Sequence, residues 1–223
     1  MIDTITLLLP ADSYHVVNKD GFSPSVNLLG FSSMVQNPPK PSAIDPNHYP
    51  HLTISNRLNS FGRSVQSLKI QSSLPKLLYG NNFDELSEKD FPQIVELLTT
   101  RLAKMGVEVA KDKIAHAEVT GIHYGKNFAL TDGRTPKMII DKLTQGDYSR
   151  LIDVEMVKYR NNGLVWKLHT NRYELAFYDK LADLHRAQIS EKRSEENQNS
   201  PQINLFKKYP QPTPFEVLRM EVR

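Results

Sequence analysis

Three short strand patterns follow one another between residues 151 and 179, and the third runs into a helix with no loop between them. The patterns cover about 151–159, 164–169 and 172–179, and Asn162-Gly163 has the chemistry of a two-residue hairpin turn. His169-Thr170-Asn171-Arg172 marks the second turn. Strands so close in sequence pair antiparallel, because a parallel crossover needs a dozen or more residues. The chain is therefore committed to an antiparallel meander, to be covered by helices supplied from elsewhere.

The flanking segments fit that plan. Residues 2–9 are apolar and β-branched and predict a strand ended by Pro10. Five prolines at 38, 39, 41, 46 and 50 predict an extended connection over 36–50 rather than a packed element. Ser64–Ser72 alternates as a strand with Val65, Leu68 or Ile70 inward and Lys69 outward, although the alternation slips by one between Val65 and Leu68.

A helix is expected from about Glu88 to Met105, opened by Ser87 and Asp90 as a capping box and closed at Gly106. Its apolar positions are Phe91, Ile94, Leu97, Leu98, Leu102 and Met105. A strand over Lys113–Tyr124 follows. Next comes a short helix with Thr135 as N-cap, Pro136 first, an apolar face of Met138, Ile139 and Leu143, and Gly146 at its end. Residues 180–191 predict a further helix and 217–223 a last strand. The order predicts an α+β fold, an antiparallel sheet covered by helices, with room for two related α-plus-hairpin halves. Residues 192–214 are polar and Pro-rich and predict a long loop or insertion, and a chain that stops inside a strand is expected to be a fragment lacking a C-terminal region.

Composition narrows the chemistry. The chain has no cysteine, so any metal would be held by oxygen or imidazole. No apolar run reaches the length of a membrane span, and Met1-Ile2-Asp3 lacks the charged start of a signal peptide. A soluble cytosolic protein is expected. The net charge of +3 identifies no partner, but its distribution does: His51–Asn82 carries Arg57, Arg63, Lys69 and Lys76 with no acidic residue. Cationic, hydroxyl and amide donors without carboxylates suit a phosphate backbone, or equally a polar surface loop.

Three places carry candidate chemistry. The strand-to-helix junction reads Tyr178-Asp179-Lys180. A tyrosine becomes a nucleophile only where a base, cation or metal stabilises its phenolate; otherwise Tyr178 is a half-buried strand end and Asp179 a helix cap. Alternation would put His116, Glu118 and Thr120 on one strand face, with His123 on the opposite parity unless Gly121 forms a bulge. Such carboxylates suit a hard cation, Mg²⁺ or Mn²⁺. Glu221 lies between Arg219 and Arg223 on one face of the last strand, a spacing that by itself favours a surface ion pair over a metal ligand. Trp166, mid-strand, is expected in the core. The chain has no His-Glu-x-x-His, Walker, Gly-x-Gly-x-x-Gly or Gly-x-Ser-x-Gly pattern.

Met1-Ile2-Asp3, the stretch Ser73-Leu74-Pro75-Lys76-Leu77-Leu78-Tyr79-Gly80-Asn81-Asn82, the polar strand through Glu118, Phe177-Tyr178-Asp179-Lys180 and Leu218-Arg219-Met220-Glu221-Val222 occur in an order seen in one family. The chain resembles the replication initiators of filamentous phages and related rolling-circle plasmids. The resemblance implies a metal-dependent nickase and strand transferase, with residues 1–191 and 215–223 as its catalytic domain. Tyr178 matches the nucleophile, which would leave a 5′-phosphotyrosine and a free 3′-hydroxyl. Glu118 matches an acidic position usually held by Asp, and Glu221 matches the strand carboxylate. Lys180 is expected at the phenolate or the phosphorane, and Asp179 as a ligand or base.

The chain departs from many rolling-circle nickases in having no His-x-His. The implied Mg²⁺ or Mn²⁺ site is then carboxylate-dominated, with His116 or His123 as a further ligand. The implied partners are origin DNA, single-stranded or hairpin, and a host replication helicase or polymerase, in the cytoplasm of a bacterial host. The competing readings are a non-catalytic nucleic-acid-binding module of a phage or plasmid, and an assembly protein of a mobile element.

Overall fold

Alternation in the opening residues builds β1 (Ile2–Pro10), which turns Leu7 and Leu9 into a core. The structure, a computed structural model, describes residues 1–25, 32–39, 44–58, 61–148, 156–160, 165–170, 172–189 and 215–223, and of 156–160 and 186–189 the backbone alone. The chain divides into two compact units, Ile2–Ile122 and His123–Arg223, the latter with Met1.

In the N-terminal unit β1 is followed by β2 (Tyr14–Val16), β3 (Ser23–Ser25), β4 (Ser33–Gln36), β5 (His51–Leu58) and β6 (Ser64–Ser73). Helices α1 (Leu74–Tyr79), α2 (Phe91–Lys104) and α3 (Lys111–Ala115) come next, with β7 (Val107–Val109) between α2 and α3. The sheet order is β3-β4-β5-β6-β1, then the start of β8 (Glu118–Leu130), and β2 pairs separately with β7. Leu52, Ile54, Leu68 and Ile70 join Leu98 and Leu102 of α2 in one core. The capping box expected at Ser87 and Asp90 is present and opens a 3₁₀ turn that leads into α2. Gly106 takes φ +79°, the left-handed conformation that ends the helix without a Cβ clash.

The C-terminal unit contains the rest of β8, α4 (Pro136–Leu143), β9 (Met156–Arg160), β10 (Val165–His169), β11 (Glu174–Asp179), α5 (Lys180–Ile189) and β12 (Glu216–Val222). Every pair in the order β8-β12-β11-β10-β9 is antiparallel. The last strand in sequence thus lies between β8 and the meander. Trp166, Leu168 and Leu218 pack with Ile140 of α4, and Trp166 stacks on Phe177 at 5.4 Å between centroids, so the tryptophan is a core residue as expected. Thr170 Oγ1 accepts from the N–H groups of Arg172 and Tyr173 and forms the expected β10–β11 turn. Asn162-Gly163 and the segment 192–214 lie outside the described residues.

The α+β antiparallel architecture is the one expected, and several local expectations need correction. Lys113–Ala115 is helical, not strand, because Ala110 caps α3 and Ile114 anchors it in the core at 4% exposure. This removes His116 from the strand; its Nδ1 lies 2.8 Å from the Asp112 carbonyl oxygen. No slip occurs at Val65: the β5–β6 register is continuous from Leu58↔Ser64 to His51↔Gln71, and Val65 simply faces out. On α4 Ile139 and Leu143 pack against the core as expected, but the fully buried positions are Pro136 and Ile140, one helical turn apart, and Met138 is exposed. Phe91 is likewise exposed at the start of α2. β5 was not expected because polar residues are interspersed along it, and α1 because its six residues are too few to show a helical period.

Candidate active site

β11 alternates Glu174, Ala176 and Tyr178 on one face and Leu175, Phe177 and Asp179 on the other. The second set fills the core side beside Trp166, so Tyr178 faces the opposite side of the sheet. β12 brings the rest of the site. Its register sets Arg219 opposite Tyr178 and Glu221 opposite Ala176. From there the Tyr178 hydroxyl donates to Glu221 Oε1 at 2.6 Å.

Glu221 is 5% exposed, so it is not the surface pair that spacing alone favoured. Both of its oxygens are occupied. Arg219 Nε donates to Oε1 at 2.8 Å, beside the Tyr178 hydroxyl. Arg223 Nε donates to Oε2 at 2.9 Å, and its Nη2 bonds the same oxygen. Two guanidinium groups and a phenol are charge-assisted donors of the kind that make a buried carboxylate tolerable.

Arg219 is wholly buried and has a slot of its own. Its neighbours on β8 are Asn127, directly opposite, and Gly125, opposite Glu221. Asn127 Oδ1 accepts from Arg219 Nη1 at 3.1 Å. A Cβ at position 125 would lie 2.6 Å from Arg219 Nη2, so only glycine leaves the guanidinium room against the strand. The backbone of Met1 exchanges two 3.0 Å hydrogen bonds with Gly125, which pins that floor.

The polar face continues along the sheet. Glu174 accepts from Lys167 Nζ at 2.7 Å, with His169 Nδ1 at 3.2 Å and Arg223 Nη1 at 3.7 Å. Arg223 therefore links Glu221 to Glu174.

These contacts set opposite protonation preferences. Burial, and then the charge of Glu221, push the Tyr178 phenol well above its ordinary value, while Arg219 opposes them. Burial alone would raise Glu221, but the hydrogen bonds from Tyr178 and Arg219 and the charge of Arg223 outweigh it and lower its pKa to about 2. At neutral pH the pair is a phenol donating to a carboxylate.

The other expected residues fall in several places. Lys180 is 2% exposed, with Nζ 5.9 Å from the centroid of the Tyr178 ring, a cation over an aromatic face. Asp179 points to the face opposite Tyr178, and its Oδ1 accepts from Ala182 N at 2.8 Å, capping α5. His123 is on β8 with the parity of Gly125 and Asn127, the Glu221 face. Glu118 and His116 belong to the N-terminal unit, as do Arg57, Arg63, Lys69 and Lys76. Among the described residues no group of three or more His, Asp or Glu side chains is assembled to hold a metal. A cation reaching Glu221 would have to displace a hydrogen bond that an arginine or Tyr178 now makes.

Gly125, Asn127, Lys167 and Glu174 were not legible as site residues. Only Gly125 carried a signal, a glycine inside a long strand that marks a close approach.

The whole chain, residues 1–223, matches the Phage CRI family model, which describes the N-terminal part of a replication-associated protein. No curated protein and no solved structure matches it.

Proposed function

The chain belongs to this family of phage replication-associated proteins, and from that membership we propose that it is a replication initiator that nicks origin DNA with Tyr178 as the nucleophile. The observation that carries the reading is the 2.6 Å hydrogen bond from Tyr178 to the buried, arginine-clamped Glu221. A tyrosine at a strand end, oriented by a fixed carboxylate and beside two cations, has the parts that nucleophilic catalysis needs.

In this reading the phenol oxygen attacks the scissile phosphorus in line with the departing 3′ oxygen. Tyr178 loses its proton to solvent before the attack, with Glu221 holding the ring in place rather than taking the proton, and the 3′ oxygen takes up a proton from water as the P–O bond breaks. The products are a 5′-phosphotyrosine and a free 3′-hydroxyl, and reversal on a second end gives strand transfer. Arg219 favours the phenolate, and Lys180 adds a second positive charge near the ring. Arg57, Arg63, Lys69 and Lys76 are proposed contacts to origin DNA.

A divalent cation, Mg²⁺ or Mn²⁺, is part of the proposal. The donors Glu118, Glu221, Asp179, His116 and His123 are not gathered into a ligand set among the described residues.

One observation favours a second reading, a nucleic-acid-binding module without chemistry. The phenol of Tyr178 is held protonated, as a purely structural tyrosine would be. The two readings separate when a labelled origin hairpin is incubated with the parent chain or Tyr178→Phe in the presence of Mn²⁺. A covalent DNA adduct with the parent alone is the expected result. An adduct that persists in Tyr178→Phe removes Tyr178 as nucleophile, and no adduct with either chain favours the binding module.

A further inference from the structure

The β5–β6 hairpin has two different faces. Leu52, Ile54, Leu68 and Ile70 turn into the core of the N-terminal unit. Thr53, Ser55, Ser67 and Lys69 turn the other way, paired in register as Thr53↔Lys69 and Ser55↔Ser67, with the two serine hydroxyls 3.2 Å apart. Towards the end of the hairpin the apolar residues leave the core altogether: Leu58 is 63% exposed, Phe61 84% and Val65 46%. Arg57 is the register partner of Val65. Arg63 follows Gly62, which takes φ +71°. The hairpin and the residues after it, up to Asn82, contain cations and no acid.

An exposed aromatic ring among cations, at the end of a hydroxyl-lined strand pair, matches one ligand class well. We propose that the end of this hairpin is a platform for single-stranded DNA, with the Phe61 ring stacked on a base and Arg57, Arg63 and Lys69 on the phosphates. The charge selects nucleic acid over an apolar protein partner. The single strand is selected because its bases offer free π-faces, whereas a duplex hides them in its own stack. The inference rests on the DNA-binding part of the proposed function and is independent of the tyrosine chemistry.

The test uses Tyr178→Phe as the background, so that no covalent capture enters the reading. Anisotropy of labelled oligo(dT) and of a mixed-sequence duplex is followed for that chain and for added Phe61→Ala and Phe61→Tyr changes. Phe61→Ala should weaken oligo(dT) binding roughly tenfold or more, with duplex binding less affected and Phe61→Tyr restoring it, at an unchanged melting temperature. Unchanged oligo(dT) affinity in Phe61→Ala, or a loss confined to the duplex, overturns the platform and leaves the proposed function standing. Failure of the background chain to bind either probe overturns both.

Discussion

Tyr178 and Glu221 hold opposite protonation preferences across a single 2.6 Å hydrogen bond. Burial raises the phenol and the arginine clamp lowers the carboxylate to about 2. A proton held this firmly on the phenol fixes the direction of the bond and makes Tyr178 a reluctant nucleophile. In the proposed reaction, bound DNA and its counter-charges must supply the remaining help.

The pair predicts how stability depends on pH. Glu221 is depressed from 4.5 to about 2, so its contribution is complete above about pH 4.5 and is lost as pH falls towards 2. The full effect is on the order of 3 kcal/mol. Tyr178 is raised from 10.0, so its contribution is complete below pH 10 and declines above it. Denaturant titrations from pH 2 to 11 should show both losses, and the acid loss should shrink markedly in Glu221→Gln.

Cleavage should follow the same logic. The phenolate fraction rises tenfold per pH unit while pH is below the raised pKa, so the single-turnover rate should climb through pH 10 with no plateau. A plateau near neutrality would show that substrate binding, not the resting pair, sets the ionisation of Tyr178.

Glu221→Gln should destabilise the fold by about 3–5 kcal/mol, because Arg219, wholly buried, loses its counter-charge. Urea unfolding should show a lower midpoint at an unchanged slope. A shift near zero would mean that Asn127 and the other neighbours of Arg219 suffice to hold it.

Gly125→Ala should cost about 1–3 kcal/mol through overpacking, since its Cβ would lie 2.6 Å from Arg219 Nη2. It should also slow adduct formation by loosening the hold on Glu221. Gly133→Ala, whose Cβ meets nothing within 4 Å but sits at φ +80°, should cost stability without affecting the adduct rate. Equal adduct rates in the two variants would remove Gly125 from the site.

Chelation should abolish adduct formation, and Mg²⁺ or Mn²⁺ should restore it, if the proposed cation takes part. Full activity in excess chelator would remove the cation from the reaction and leave the arginines and Lys180 as the positive charges beside Tyr178.

What the sequence determined by itself was local. The alternation of 217–223, the helical spacing through Ile94, Leu98 and Leu102, the capping box at Ser87 and Asp90, and the tyrosine at a strand end each depend on neighbours a few residues away. The antiparallel α+β class followed from the short links of the meander. Only the tertiary structure decided that β12 enters between β8 and β11, and in a register that sets Arg219 opposite Tyr178 and Glu221 opposite Gly125. A shift of two residues would keep every side chain on its own face yet part Glu221 from Tyr178, and the alternation within either strand is equally compatible with it. That pairing buried Arg219 and Glu221 of an Arg-x-Glu-x-Arg pattern that reads as surface; burial raised Tyr178, and the hydrogen bonds and arginine charges gathered there lowered Glu221. Desolvation and hydrogen-bond partners come from residues far apart in the chain, which is why the protonation state of the site was settled by the fold.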